Sequence, residues 1–241
     1  MLNFKIYSLF PEMFPGNLKH GLIGKAYKNK VWDFTTIQIR DYSNYSGNSV
    51  DDKPFSGGAG MVLRPDVISN AIEKTTSIEE LNKSVKICFS AKGKSLNQSL
   101  IENIKKSENF ILLAGRYEGI DQRVVNQYNF EEISIGDYIL NGGEIACMVF
   151  MEAMIRVQDG VLNNPETHLS ESFKNDLLEH DQFTRPSEWI APDGSSHKVP
   201  KELLNGNHSD IEKWKKANSE QNTSKNRQDL WKNYLKNKKN E

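Results

Sequence analysis

The amino-acid sequence predicts an α/β fold with a mainly parallel sheet, followed by a small helical domain. Two observations carry the prediction. Short runs rich in β-branched and aromatic residues alternate with helical patterns through the first part of the chain, as βαβ units require. Further on, apolar residues recur among many charges at Leu177, Leu178, Leu203, Leu204, Ile211, Trp214, Leu230, Trp231, Tyr234 and Leu235, as in a small helical unit.

Residues 4–9, 32–39, 85–89, 110–114 and 133–135 have strand character. Between them, Pro65 at a first helical turn opens a helix over 66–74, and residues 95–106 and 120–127 carry amphipathic patterns. Residues 143–157 are apolar on most sides, with Ile145, Met148, Val149, Phe150, Met151, Met154 and Ile155, so this helix is expected to be deeply buried or at an interface. Two stretches interrupt the regularity: 40–61, polar and glycine-rich, and 162–170, with Asn163-Asn164-Pro165 near its start. Loops of that length in a compact domain are usually functional or disordered. The second sets the expected organisation: a domain over 1–162, a linker over 163–172 and a helical domain over 173–241, the last interrupted by the turn-rich Ala191-Pro192-Asp193-Gly194-Ser195-Ser196. No internal repeat is present.

With 241 residues, 37% hydrophobic and 26% charged, the chain is long enough for one full core and a small second domain. Its apolar runs are too short to span a bilayer, and Met1-Leu2-Asn3-Phe4 lacks an export pattern, so no membrane association and a cytoplasmic location are expected. Cys88 and Cys147 sit in apolar runs without His or Cys at ligand spacing, which predicts buried, reduced thiols. His20, His168, His197 and His208 show no metal spacing either, and no metal ligand is assigned. The net charge is -1, yet Lys213, Lys215, Lys216, Lys225, Arg227, Lys232, Lys236, Lys238 and Lys239 crowd the C-terminal end, as either a solvated helical face or an RNA-facing patch.

Three glycine-bearing segments follow predicted strands: Ser90-Ala91-Lys92-Gly93, Gly115-Arg116-Tyr117-Glu118-Gly119, and the loop from Ser134-Ile135-Gly136-Asp137-Tyr138 to Ile139-Leu140-Asn141-Gly142-Gly143-Glu144. Ligands of open α/β sheets bind beyond the carboxyl ends of strands, so three such turns can converge on one site. Neither the P-loop pattern nor G-x-G-x-x-G after a strand occurs, which argues against ATP and NAD. What remains is a ligand held largely by backbone, without polyphosphate charge.

The order and wording of several segments resemble the bacterial tRNA (guanine-N1)-methyltransferases (TrmD) over nearly the whole chain. The resemblance rests on Ser8-Leu9-Phe10-Pro11-Glu12-Met13-Phe14, on Val50-Asp51-Asp52-Lys53-Pro54-Phe55 with Gly57-Gly58-Ala59-Gly60-Met61, on Ala114-Gly115-Arg116-Tyr117-Glu118-Gly119-Ile120-Asp121, on the 134–144 loop, on Thr184-Arg185-Pro186 and on Gly206-Asn207-His208. It implies a parallel α/β sheet with a deep trefoil knot, a rare exception to unknotted topology, S-adenosylmethionine as methyl donor, tRNA as substrate, and a homodimer with active sites at the interface. It also allows Mg2+ as a further ion. By motif, it places the cofactor site at Phe89, Ser90, Gly115, Tyr117, Glu118, Ile135, Gly136, Tyr138, Leu140, Gly142 and Gly143.

The implied reaction is methylation of N1 of the guanine at tRNA position 37, beside the anticodon, in tRNAs with guanine at position 36. Guanine N1 carries a proton at neutral pH, so transfer requires a base for that proton and a donor for negative charge moving onto O6. The family pattern implies Glu171 and Arg156 in these roles. Aspartate is usual at the base position, and glutamate carries its carboxylate one methylene further out; Asp176 and Glu166 are nearby alternatives. From the residues alone, Glu171 is instead the first turn of a helix capped by Ser170, and Arg156 a cation near a helix C-terminus. Asp52, Phe173, His180, Thr184 and Arg185 are candidates for holding RNA. Methylation of another RNA position, or tRNA binding with weakened catalysis, are the alternative functions.

Overall fold

Residues 110–113 read Phe-Ile-Leu-Leu, the uninterrupted apolar run of a strand buried on both faces. They occupy the centre of the sheet in the computed structural model, which describes residues 1–162 and 171–238. Two compact units are present, Met1–Asn163 and Asn164–Glu241. The first contains, in chain order, β1 (Leu2–Ser8), α1 (Gly21–Lys28), β2 (Trp32–Gln38), β3 (Asp51–Asp52), β4 (Val62–Leu63), α2 (Pro65–Thr75), α3 (Ile78–Lys83), β5 (Val85–Ser95), α4 (Gln98–Ile104), β6 (Asn109–Leu113), α5 (Gln122–Gln127), β7 (Glu131–Ser134) and α6 (Glu144–Arg156).

Five strands form one sheet in the order β2-β1-β6-β5-β7, with every neighbouring pair parallel. Side-chain alternation divides the interior into two cores. Phe4, Ile6, Phe110 and Leu112 pack with Ile23 of α1, Ile101 of α4 and Cys147, Phe150 and Met151 of α6. Tyr7, Ile111, Leu113 and Cys88 pack with Val67, Ile68 and Ile72 of α2 and Val124 and Val125 of α5. The expected α/β architecture with a parallel sheet is therefore present.

Several boundaries differ from expectation, each for a local reason. The helix expected over 95–106 begins only at Gln98, because Ser95 still pairs with Ser134 of β7 and the Asn97 side chain caps the helix by accepting from Leu100 N at 2.9 Å. Likewise α5 starts after Asp121, whose side chain accepts from Arg123 N, while Ile120 bridges to Leu63. The segment Ser90-Ala91-Lys92-Gly93 is not a turn after a strand. It lies within β5, in an irregularity between two paired stretches, with the register against β7 shifting between Phe89 and Lys94. Two short helices, α1 and α3, were not anticipated; Ser77, which accepts from Glu80 N, caps the second.

As expected, α6 is largely buried, yet Ile145 and Val149, one turn apart, are 46% and 43% exposed. Cys88 and Cys147 are free and buried, and burial pushes the Cys88 thiol up to about 12. Among the described residues no helix is long and apolar enough to cross a membrane.

The second unit holds the antiparallel hairpin of β8 (Glu188–Ile190) and β9 (Ser196–Lys198), then α7 (His208–Asn226) and α8 (Gln228–Lys238). It is therefore not wholly helical: the Pro-Asp-Gly segment turns a hairpin, with Gly194 at φ +87° and Trp189 stacked on His197. Its apolar side chains do not form a closed core among the described residues. Among the described residues it buries no hydrophobic side chain fully, and Leu204 and Leu235 are exposed. Polar contacts contribute instead, including buried Thr223, which accepts from Leu178 N at 2.8 Å and donates to Ser219 O at 2.7 Å.

Candidate functional site

Parallel strands all point their carboxyl ends the same way, so the irregular stretch of β5 and the segments leaving β6 and β7 meet at one edge of the sheet. Two of these segments are held directly against each other. Arg116 and Gly142 form an antiparallel bridge, and Gly143 N donates to Gly115 O at 2.8 Å. The approach is close enough to exclude a side chain: a Cβ on Gly143 would lie 2.9 Å from both Ala114 Cα and Gly115 N. Further along, Gly136 at φ +146° lets the chain fold back, with Tyr138 N donating to Gly136 O and the Tyr138 hydroxyl to Ile135 O. The Gly115–Gly119 loop is also tied outward, through Glu118 N to Met61 O and Leu63 N to Gly119 O.

These segments enclose a cleft of about 510 Å3, within the range of small-molecule sites. Phe89, Ser90, Gly115, Tyr117, Glu118, Ile135, Gly136, Tyr138, Leu140, Gly142 and Gly143 all line it. The expectation had these residues converge, and the structure brings all of them together. Lys92, Arg116 and Asn141, in the same three segments but not assigned to the cofactor, line it too, and so do Gln122 and Glu132, which were not anticipated. Tyr117, Tyr138, Ile139 and Leu140 form an exposed aromatic and apolar rim, which is unusual for such side chains unless a ligand covers them. Lys92 lies 3.4 Å from Glu132 and donates to Gln122. The lining is therefore glycine backbone and apolar surface with a few charges of both signs.

Behind the cleft lies a residue that its sequence neighbourhood does not mark as part of a site. Glu144, first in α6, is completely buried: Oε1 accepts from Ser8 Oγ at 2.7 Å, and Oε2 lies 2.9 Å from Arg116 Nε. The Arg116 guanidinium stacks 4.3 Å over the Phe10 ring, and its Nη1 donates to Asn141 O. A carboxylate opening a largely apolar helix was the available signal.

The other expected site residues lie apart from this cleft or in the second unit. Asp52 is exposed and paired with Arg64 at 2.7 Å; Arg64 stacks on Tyr45, whose hydroxyl donates to Asp66, a bond that raises the Tyr45 pKa. Arg156 closes α6, half-buried. In the second unit, half-buried Glu171 sits in a bend rather than in the first turn of a helix, so the capped-helix reading fails there; Ser170, Glu166 and His168 lie outside the described residues. Phe173 is exposed at φ +76° beneath the Arg227 guanidinium, and His180 meets the Trp214 ring edge-on at 6.0 Å. Thr184 and Arg185 are exposed. Among the described residues no three His, Cys, Asp or Glu side chains gather to hold a metal ion, so Mg2+ gains no support.

The family model described as tRNA (Guanine-1)-methyltransferase TrmD matches residues 2–233. Among curated relatives, a protein of Ehrlichia canis named tRNA (guanine-N(1)-)-methyltransferase is 44% identical over 216 residues, covering 89% of this chain and 88% of that protein. Similarly named proteins of Ruegeria pomeroyi and Brucella ovis are 40% and 41% identical, covering 94% and 97% of this chain and 91% and 93% of their own.

Proposed function

The chain belongs to the tRNA (guanine-1)-methyltransferase family, and on that basis we propose that it moves the methyl group of S-adenosylmethionine to N1 of guanine 37 in tRNAs with guanine at position 36. The observation that supports this most is the cleft where the three glycine-bearing segments meet. Its glycine backbone and apolar lining suit a nucleoside with a sulfonium tail, and no phosphate-binding motif competes with that reading. When bound, S-adenosylmethionine supplies an electrophilic methyl group on a positively charged sulfur.

The chain's own residues supply the rest. The backbone of Gly115, Gly142 and Gly143 holds the donor, while Tyr117, Tyr138 and Leu140 close over it and exclude water. Glu171 takes the N1 proton of guanine, and Arg156 donates to O6 as negative charge develops there. At roughly 1.5 Å per residue, α6 separates Arg156 from the cleft-side Glu144 by about 18 Å. That length favours a homodimer in which a second copy completes each site, and exposed Ile145 and Val149 are suited to such an interface. The deep trefoil knot belongs to the same reading, supported by the tight apposition of the Gly115 and Gly143 loops. Residues 1–162 would carry the donor site and 173–241 would bind tRNA, joined by 163–172. Asp52, Phe173, His180, Thr184 and Arg185 would contact the RNA in a cytoplasmic enzyme.

Single-turnover transfer to unmodified transcripts tests the position. A transcript with guanine at 36 and 37 is expected to be methylated, and replacement of guanine 37 by adenine to abolish transfer. Undiminished transfer to the substituted transcript would overturn the assignment.

A further inference from the structure

Arg116 presents a difficulty for any cationic ligand, because the residue lines the cleft and its guanidinium carries a permanent charge. A sulfonium entering beside it would be repelled. The structure contains a counterweight. Glu144 does not line the cleft; it lies directly behind Arg116, fully buried, with Oε2 2.9 Å from Nε. Both atoms are buried and their geometry makes no hydrogen bond, so the contact is one of charge. The other carboxylate oxygen is committed to Ser8 Oγ, and Ser8 Oγ in turn accepts from Phe10 N, which fixes the ring on which Arg116 stacks. Gly142 leaves the room Arg116 requires, since a Cβ there would lie 2.2 Å from Nε.

We propose that Glu144, itself held by Ser8, is a positioning residue of the donor site, clamping Arg116 against Phe10 and the Asn141–Gly142 backbone and cancelling its charge so that the cleft accepts a sulfonium. Glu144 acts through Arg116 and touches no ligand itself. The proposal rests on the S-adenosylmethionine reading above. It accounts for an acidic residue buried at the start of a largely apolar helix, where a carboxylate without such a partner would be costly.

A charge role and a merely structural one separate when two ligands of nearly equal shape are compared: cationic S-adenosylmethionine and its neutral thioether product, S-adenosylhomocysteine. Their Kd values are measured by titration calorimetry on the full chain. Glu144→Gln uncovers the Arg116 charge and is expected to raise the ratio of the sulfonium Kd to the thioether Kd by about tenfold over wild type, the order expected of one uncompensated charge in a protein cleft. Glu144→Asp is expected to restore most of the ratio. Arg116→Gln shifts it the opposite way, because a carboxylate is then left unbalanced. Arg116→Gln/Glu144→Gln, which carries no stranded charge and keeps the test available should Glu144→Gln fold poorly, returns the ratio towards wild type. A ratio unchanged in Glu144→Gln and in Arg116→Gln, or moved in the same direction by both, would overturn the proposal. Failure of the wild-type protein to bind either ligand would overturn the donor assignment instead.

Discussion

Replacing Gly143 by alanine probes the backbone-to-backbone approach of two segments that line the cleft. The backbone there is ordinary, at φ -80° and ψ -8°, so the effect is steric rather than conformational. The new Cβ would lie 2.9 Å from Ala114 Cα and Gly115 N, against roughly 3.5–4.0 Å for comfortable carbon contacts. The two loops must therefore part by about half an ångström or more. Overpacking of this kind costs about 1–3 kcal/mol. Stretching the Gly143 N to Gly115 O bond, now 2.8 Å, adds up to about 1 kcal/mol. The reduced entropy of the unfolded alanine chain returns about 0.4–1 kcal/mol. A net loss near 2 kcal/mol follows, or a fall of about 4–8 °C in Tm for a unit of this size. Gly115→Ala is the matched control, since its Cβ would meet only the flexible tip of Ile120 at 3.3 Å; it should cost under about 1 kcal/mol. Scanning calorimetry of both variants checks the pair. Equal Tm values for Gly143→Ala and Gly115→Ala would refute the reasoning.

Further outcomes follow from other parts of the molecule. Glu171→Gln should slow single-turnover methyl transfer about 10²–10⁴-fold while leaving donor Kd unchanged; a full-rate variant would remove Glu171 as base. Charge-removing substitutions at Lys232 and Lys236 of α8 should each reduce the slope of log K for tRNA against log salt by up to about one, measured by filter binding across ionic strengths; an unchanged slope would take α8 out of the RNA surface. Because burial raises the Cys88 thiol to about 12 and Cys147 well above its ordinary value, iodoacetamide at pH 8 should label neither thiol in the folded protein and both in urea. The sign for stability is equally definite. A thiol whose folded pKa is raised contributes fully below its unfolded value near 9 and loses that contribution as pH climbs towards about 12, so the urea midpoint of wild type should fall over that window more than that of Cys88→Ala.

Much of the fold was legible because its signals are local and strong. The apolar runs around Phe4, Trp32, Val85 and Phe110 could be read as strands from composition alone, and all belong to the sheet. Starting points of helices were less legible, since Asn97 and Asp121 act as caps only once the preceding strand or bridge is known to hold the chain. The Ser90–Gly93 segment looked like a turn because glycine and lysine usually end strands; continued pairing of Lys94 and Ser95 with β7 is a long-range effect that no local pattern carries. The hairpin of the second unit was half visible, as a turn without its strands. In the cleft, the glycine-rich motifs marked the lining, whereas Glu144 was hidden because its importance depends on Ser8, 136 positions away.

The identity of the product tests the methyltransferase assignment most directly. Purified protein is incubated with labelled S-adenosylmethionine and an unmodified tRNA transcript carrying guanine at 36 and 37, then the RNA is digested and the modified nucleoside identified and mapped. The expected product is 1-methylguanosine at position 37 and at no other site. Label on another atom or another position, or donor and tRNA binding with no transfer, would contradict the assignment.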